Sequence, residues 1–457
     1  MIINEEKITA SLNKHTKEDP IRIREVLQKS LEMKGLDVDD VAALTAIKDP
    51  DLAQALFNAA QKVKEIIYGK RLVLFAPLYI SNLCTNDCTY CAFRTANKSL
   101  QRKSLTQEEI AKEVNTLVDQ GQKRVLLVAG ESNANDSLQY ILDSIKTIYS
   151  VKNKNGEIRR LNVNIASLTV EEFRQLKNAN IGTYQLFQET YHRDTYERSH
   201  LRGKKADYDW HLTTMDRAME AGIDDVGIGV LFGLADWRFE TLALMQHSEH
   251  LSEKFGVGPH TISVPRLEPA LGSEVASNPP QPISDVDFCK LIAILRLAVP
   301  YTGIILSTRE TAEIRRKALA LGASQLSAGS RTNPGGYSAN KEDASQFSLG
   351  DHRPLDEVIQ DVASLGYVPS FCTACYRLGR TGHDFMDLAK PGKIKDMCMP
   401  NALTTFEEYL QDYASLETKK IGEALIKKEI QAMPQKQREL TSKLIEKIKS
   451  GERDVYI

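Results

Sequence analysis

Six of the seven cysteines in this 457-residue chain fall into two tight groups spaced like metal ligands, not like a disulfide framework. Cys84, Cys88 and Cys91 form a C-x3-C-x2-C loop, Cys372, Cys375 and Cys398 form a C-x2-C-x22-C set, and Cys289 stands alone. Three thiolates ligate three irons of a cubane cluster and leave the fourth iron open to an outside chelator. For the first group the plainer alternative is zinc, or cysteines meeting in a turn by chance. Zinc ordinarily takes four ligands, and no fourth Cys or His stands close by in sequence. The second group also lacks a fourth ligand. There a structural zinc with a remote His, or a redox pair with an unrelated third thiol, stays open beside a second cluster. Residues 376–383, Tyr-Arg-Leu-Gly-Arg-Thr-Gly-His, are basic and glycine-rich, so they could wrap an anionic cluster with donors, but they do not choose the metal.

An open iron suits the amino and carboxylate groups of S-adenosylmethionine (SAM), whose sulfonium bond an electron from the cluster cleaves to a 5'-deoxyadenosyl radical. Tyr90 and Phe93, either side of the third cysteine, fit a face packing on adenine and equally fit plain filler. Gly130-Glu131 offers a close backbone approach and a carboxylate for an ammonium group. Glu189 could hold ribose or the methionyl moiety, or could be a surface acid starting a helix.

These residues need a scaffold, and the pattern supplies one. From Arg71, short apolar runs at 72–78, 124–129, 161–166, 183–187, 225–231, 261–266, 303–306 and 325–328 alternate with helical segments. Eight such units predict an α/β fold, a (β/α)8 TIM-type barrel, with the first cysteine loop at the C-terminal end of the first strand, where such barrels place their active sites. Capping boxes are read at Thr106-Gln-Glu-Glu109 and Ser307-Thr-Arg-Glu310. Residues 1–70 predict a helical extension, 71–335 the barrel, and 336–457 a mainly helical domain that carries the second cysteines and closes one end.

Lys and Arg total 59 against 61 Asp and Glu, a net charge of −2, so no cationic excess drives binding to nucleic acid. The sequence shows neither a signal-peptide pattern at its start nor ~20 uninterrupted apolar residues for a membrane span, and a cytoplasmic location is expected.

With both cysteine groups and the segments Gln188-Glu-Thr-Tyr191, Gly227-Ile-Gly-Val-Leu-Phe-Gly-Leu234 and Ser307-Thr-Arg-Glu310 in view, the chain resembles the HydG family from about residue 70 to beyond 400. These are tyrosine lyases of iron-only hydrogenase maturation, in the ThiH/HydG group of the radical SAM superfamily. The resemblance implies a radical SAM barrel and a lyase that abstracts hydrogen from the amino group of L-tyrosine and breaks Cα–Cβ to p-cresol and dehydroglycine. It further implies a C-terminal 4Fe–4S cluster with an additional iron, at which dehydroglycine becomes carbon monoxide and cyanide in an Fe(CO)2(CN) unit ligated by cysteine. Other hydrogenase maturases and an electron donor are the implied partners.

By the same resemblance His260 is the candidate ligand of the extra iron, Arg309 the partner of the tyrosine carboxylate, and Ser327 a second carboxylate contact. A guanidinium suits that task because it offers two parallel hydrogen bonds. One departure stands out: where many relatives have an arginine for the SAM carboxylate, this chain offers His211. The competing readings are a ThiH-like 2-iminoacetate synthase with a structural C-terminal metal site, and a non-catalytic cluster carrier.

Overall fold

The computed structural model describes residues 2–132, 137–339, 344–389 and 394–457. Eight parallel strands close into a barrel: β1 (Arg71–Ser81), β2 (Arg124–Ala129), β3 (Arg160–Asn164), β4 (Tyr184–Gln185), β5 (Val226–Gly229), β6 (Thr261–Ser263), β7 (Gly303–Leu306) and β8 (Gln325–Ser327). Closure is made by Val73, Leu74 and Phe75 of β1 against Gln325, Leu326 and Ser327 of β8. Helices cover the outside, so strands such as Leu72-Val-Leu-Phe-Ala76 are buried on both faces, which is why they read as unbroken apolar runs.

Local signals place the helices. Thr106 and Glu109 form the expected capping box at the head of Gln107–Asp119. The Ser307–Glu310 box does not form. The helix after β7 begins at Ala312, with Thr311 as its cap, because the chain must first cross the barrel rim. Glu310 is instead buried and bound by Arg266, whose Nε lies 3.0 Å from it. At the N-terminus four helices, Glu5–Lys14, Pro20–Ser30, Val38–Thr45 and Pro50–Tyr68, pack outside the barrel, the last of them against Asp285–Ala298. The C-terminal helices Ile394–Asp412, Leu416–Ala432 and Gln435–Lys449 pack on one another.

A ninth strand, β9 (Val368–Ser370), carries no signal in the sequence. It runs parallel to the first residues of β1, pairing Arg71 with Val368 and Val73 with Ser370. Val73 already pairs with Gln325 on its other edge, so β9 occupies the lower part of the edge that β2 takes higher up. Cys372, two residues on, is thereby delivered to the N-terminal end of the barrel, opposite the first cysteine loop. Among the described residues no helix is long and apolar enough to cross a membrane.

Candidate active sites at the two ends of the barrel

The upper site is a cavity of about 220 Å³ at the C-terminal ends of the strands. Cys84, Cys88, Cys91, Tyr90, Phe93, Gly130, Glu131, Glu189, His211, Arg309 and Ser327 all border it. The cysteine loop is tied down on several sides. The Thr85 amide donates to the Glu131 carbonyl at 2.8 Å, the Thr95 amide to the Asn86 carbonyl at 2.8 Å, and the Asn86 side chain to the Glu131 carboxylate. Gly130 also allows close packing: a Cβ there would stand 2.4 Å from the Leu83 carbonyl oxygen, so only glycine lets β2 end against the loop.

The three thiols are each pushed upward by burial, and Cys88 and Cys91 also feel other thiols of the loop. The Phe93 amide and the Gln346 side chain donate to Cys91 Sγ at 3.4 and 3.6 Å. A metal would displace the thiol protons on binding, relieving that crowding. Tyr90 is oriented by His200, which sequence reasoning missed. His200 Nδ1 lies 2.8 Å from the Tyr196 carbonyl and must donate there, so Nε2 accepts from the Tyr90 hydroxyl at 2.8 Å.

Glu189 carries a left-handed backbone, φ 69°, and holds Lys205 at 2.7 Å. Burial alone would lower the Lys205 amine, but the Glu189 carboxylate together with Cys88 and Cys91 outweighs it and holds the amine above its usual range. Burial and the Lys205 cation bring His211 down to about 3, so it is neutral and its Nε2–H donates to the Phe187 carbonyl at 2.9 Å. Arg309 stacks on the Phe347 ring at 3.3 Å and reaches the Arg266 carbonyl at 3.4 Å. No carboxylate among the described residues pairs with it, and burial lowers it from its ordinary value. Ser327 Oγ accepts the Thr308 amide at 3.1 Å, leaving its own proton to donate.

The lower site is smaller, about 50 Å³, at the N-terminal ends of the strands. Arg71, Arg124, Asp225, His260, Gly303 and Gln325, all at or beside strand starts, meet Cys372, Cys375, Tyr376 and Cys398. The Nε atoms of Arg71 and Arg124 are buried without a hydrogen-bond partner, as is Asp225 Oδ2. Burial would lower Arg71, yet the three thiols, Cys398 foremost, hold it above its usual value. His260 Nε2 lies 3.4 Å from the Tyr376 hydroxyl and Nδ1 3.6 Å from Asp225 Oδ1. Two guanidinium groups facing three thiols fit an anionic iron–sulfur group at this end. Among the described residues no three His, Cys, Asp or Glu side chains converge as ligands of a single ion. Arg71 and Arg124 each open a strand, and that repetition was the available sequence signal for this pocket.

A model of the radical SAM superfamily matches residues 78–245, and one of the Biotin and Thiamin Synthesis associated domain matches residues 263–368. The 2-iminoacetate synthase of Escherichia coli (strain K12) is 33% identical over 344 residues, 75% of this chain and 89% of that protein. The crystal structure of HydG, a maturase of the FeFe-hydrogenase, is 51% identical, covers 100% of both chains and superposes with a TM-score of 0.97. The chain belongs to the ThiH/HydG group of the radical SAM superfamily. HydG from Carboxydothermus hydrogenoformans is similar as well, at 42% identity, 96% and 97% coverage and a TM-score of 0.85. The group's radical SAM domain implies a 4Fe–4S cluster and SAM, and the upper cavity, with its three thiols and polar rim, fits both.

Proposed function

We propose that this chain is a radical SAM lyase that cleaves L-tyrosine between Cα and Cβ to p-cresol and dehydroglycine, and then converts dehydroglycine to carbon monoxide and cyanide for an FeFe-hydrogenase. The observation that carries the proposal is the pair of three-thiol cavities at opposite ends of one barrel, together with coverage of the whole chain by the maturase HydG, where the 2-iminoacetate synthase leaves a quarter unmatched.

When bound, the SAM cluster supplies the electron that generates the deoxyadenosyl radical. The chain's own residues do the rest. Cys84, Cys88 and Cys91 hold the cluster; Glu131 and Glu189 offer carboxylates to the methionyl amine and ribose; Tyr90 and Phe93 supply aromatic surface. Arg309, with which no carboxylate among the described residues pairs, takes the tyrosine carboxylate, with the Ser327 hydroxyl as a second donor. That fixes the amino group toward the radical source. The hydrogen taken from tyrosine leaves in 5'-deoxyadenosine, so cleavage yields dehydroglycine and a cresyl radical, which one proton and a second electron from the external reductant convert to p-cresol; dehydroglycine in turn divides into hydrogen cyanide, carbon monoxide and water. Cys372, Cys375 and Cys398 would hold the second cluster and His260 the additional iron, which free cysteine would also bind. The division of labour follows the chain: helices to about residue 70, the barrel to 335, and the second-cluster region beyond.

The test is anaerobic incubation of iron-loaded protein with tyrosine, SAM and dithionite, assaying p-cresol and carbon monoxide together. Both products are expected. Cresol without carbon monoxide supports a 2-iminoacetate synthase, and absence of deoxyadenosine supports a cluster carrier.

A further inference from the structure

The cysteine loop also has an outer surface, and its composition departs from that of the whole chain. The net charge is −2, yet two segments contain no carboxylate: residues 94–103, with Arg94, Lys98, Arg102 and Lys103, and residues 198–205, with Arg198, Arg202, Lys204 and Lys205. Both segments are fastened to Asn86 and Asp87. On one side the Thr95 amide bonds the Asn86 carbonyl at 2.8 Å, and Arg94 Nε sits 2.6 Å from the Asp87 carboxylate. On the other, Leu201 N–H donates to Asp87 O at 3.1 Å and Asp87 N–H to Arg202 O at 3.0 Å, with Cys88 bridged to His200. Residues 199–202 thus run antiparallel to 87–89, and Gly203 lies on Asn86 so tightly that a Cβ would stand 2.0 Å from its Oδ1.

Several of these cations are already engaged. Arg94 pairs with Asp87, Lys103 with Glu109, Lys205 with Glu189, and Arg102 donates to the carbonyls of Asn82, Phe93, Arg94 and Asn97. Lys98, Arg198, Arg202 and Lys204 are exposed, and none forms an ion pair among the described residues. Of the nearest acids in sequence, Glu197 is exposed and Asp207 caps the Trp210 amide. Beside the cations Leu201 is 57% exposed, and Leu271 and Leu83, at 54% and 38%, lie at the margin. An apolar centre rimmed by unpaired positive charge is the composition of an interface for an acidic protein.

We propose that this surface docks a small acidic one-electron carrier protein, an iron–sulfur or flavin protein, which delivers the electron through the Asp87–Cys88 backbone beneath it. The inference rests on the radical reading of the upper site: each sulfonium cleavage consumes one electron, which the carrier gives up in becoming oxidised by one. Cys88 is the cysteine whose backbone pairs directly with this surface segment.

The experiment compares the iron-loaded enzyme with Arg202→Glu/Lys204→Glu and, as a control on a distant helix, Lys427→Glu/Lys428→Glu. Two quantities are read: binding of an oxidised plant-type ferredoxin and, in parallel, of a flavodoxin by calorimetry; and deoxyadenosine formation driven by each reduced carrier or by dithionite. Reversing two rim charges is expected to weaken carrier binding and slow the carrier-driven rate by about tenfold or more, with raised salt weakening wild-type binding in the same way. The dithionite rate stays within about twofold of wild type. An unchanged carrier-driven rate, an equal loss in the control, or an equal loss with dithionite overturns the docking surface. No deoxyadenosine from wild type with dithionite overturns the radical reading and the docking surface together.

Discussion

Glu189 and Lys205 meet at 2.7 Å inside the upper cavity, and Glu189 makes the contact from a left-handed backbone that side chains rarely adopt. Its carbonyl accepts the Leu231 amide at 2.9 Å, and the residues after it are held in turn, Thr190 and Tyr191 donating to the buried Glu240 carboxylate. The surrounding structure thus holds the conformation in place. Lys205→Met leaves the Glu189 carboxylate buried without its partner and is expected to cost roughly 3 kcal/mol. Anaerobic denaturant unfolding reads that loss, and SAM affinity should fall with it. Lys205→Arg should recover most of both.

Glu240 gives the fold a pH dependence. Burial raises its carboxyl to about 7 from an ordinary 4.5, against the donors from Thr190 and Tyr191. The folded state therefore keeps a proton that the unfolded chain releases from about pH 4.5 upward, so this group's contribution falls as pH rises through that window. The loss is on the order of 3 kcal/mol and is complete above about pH 7. Glu240→Gln cannot ionise. The stability difference between variant and wild type should shift in the variant's favour from pH 5 to pH 8, and a difference that stays flat would remove Glu240 as the cause.

Gly130→Ala should act on the cysteine loop through its contact with Leu83. The new methyl meets the Leu83 carbonyl at 2.4 Å, so either β2 or the loop has to shift, costing roughly 1–3 kcal/mol. Iron bound at the upper site should drop while the lower site keeps its share, read by iron content and by the spectrum of each cluster.

The barrel was legible because its strands are buried on both faces and keep apolar runs; 124–129 and 303–306 coincide with β2 and β7. The cysteine groups were legible because most of their members are close in sequence, and each group comes together at one cavity. What escaped has non-local causes. β9 is three residues long and contains Pro369, so neither length nor periodicity announces it. Arg71 and Arg124 read as strand boundaries, and only closure of β1 on β8 turns their ends toward a common cavity. His200 and Lys205 lie in a connection between helices and reach the site because residues 199–202 pair with the cysteine loop. The Ser307–Glu310 spacing matched a capping box, but a buried ion pair with Arg266 claimed Glu310 first.

Arg309→Lys keeps the charge and loses the two-pronged geometry. The KM for tyrosine should rise about 10- to 100-fold, equivalent to roughly 1.5–3 kcal/mol for a charged hydrogen bond. Deoxyadenosine formed without cresol should increase, because misplaced tyrosine no longer presents its amino group. An unchanged KM would assign the carboxylate to another donor.

Cys372→Ser with Cys375→Ser should separate the two chemistries. Iron falls to about four per chain, p-cresol formation persists, and carbon monoxide disappears. Iron content that stays constant would identify the lower thiols as something other than cluster ligands.

Strand β1 has one further consequence. Its last residues lead into the upper cysteine loop while its first residues pair with the strand that presents the lower cysteines. Eleven extended residues make a gauge on the order of 35 Å long, fixed by ladder hydrogen bonds on both edges. Loops around either site can grow or shrink over evolutionary time without altering that length. A one-residue insertion within β1 would instead reverse which side chains face inward over everything beyond it. The two cysteine groups are thus held at one spacing by a single strand.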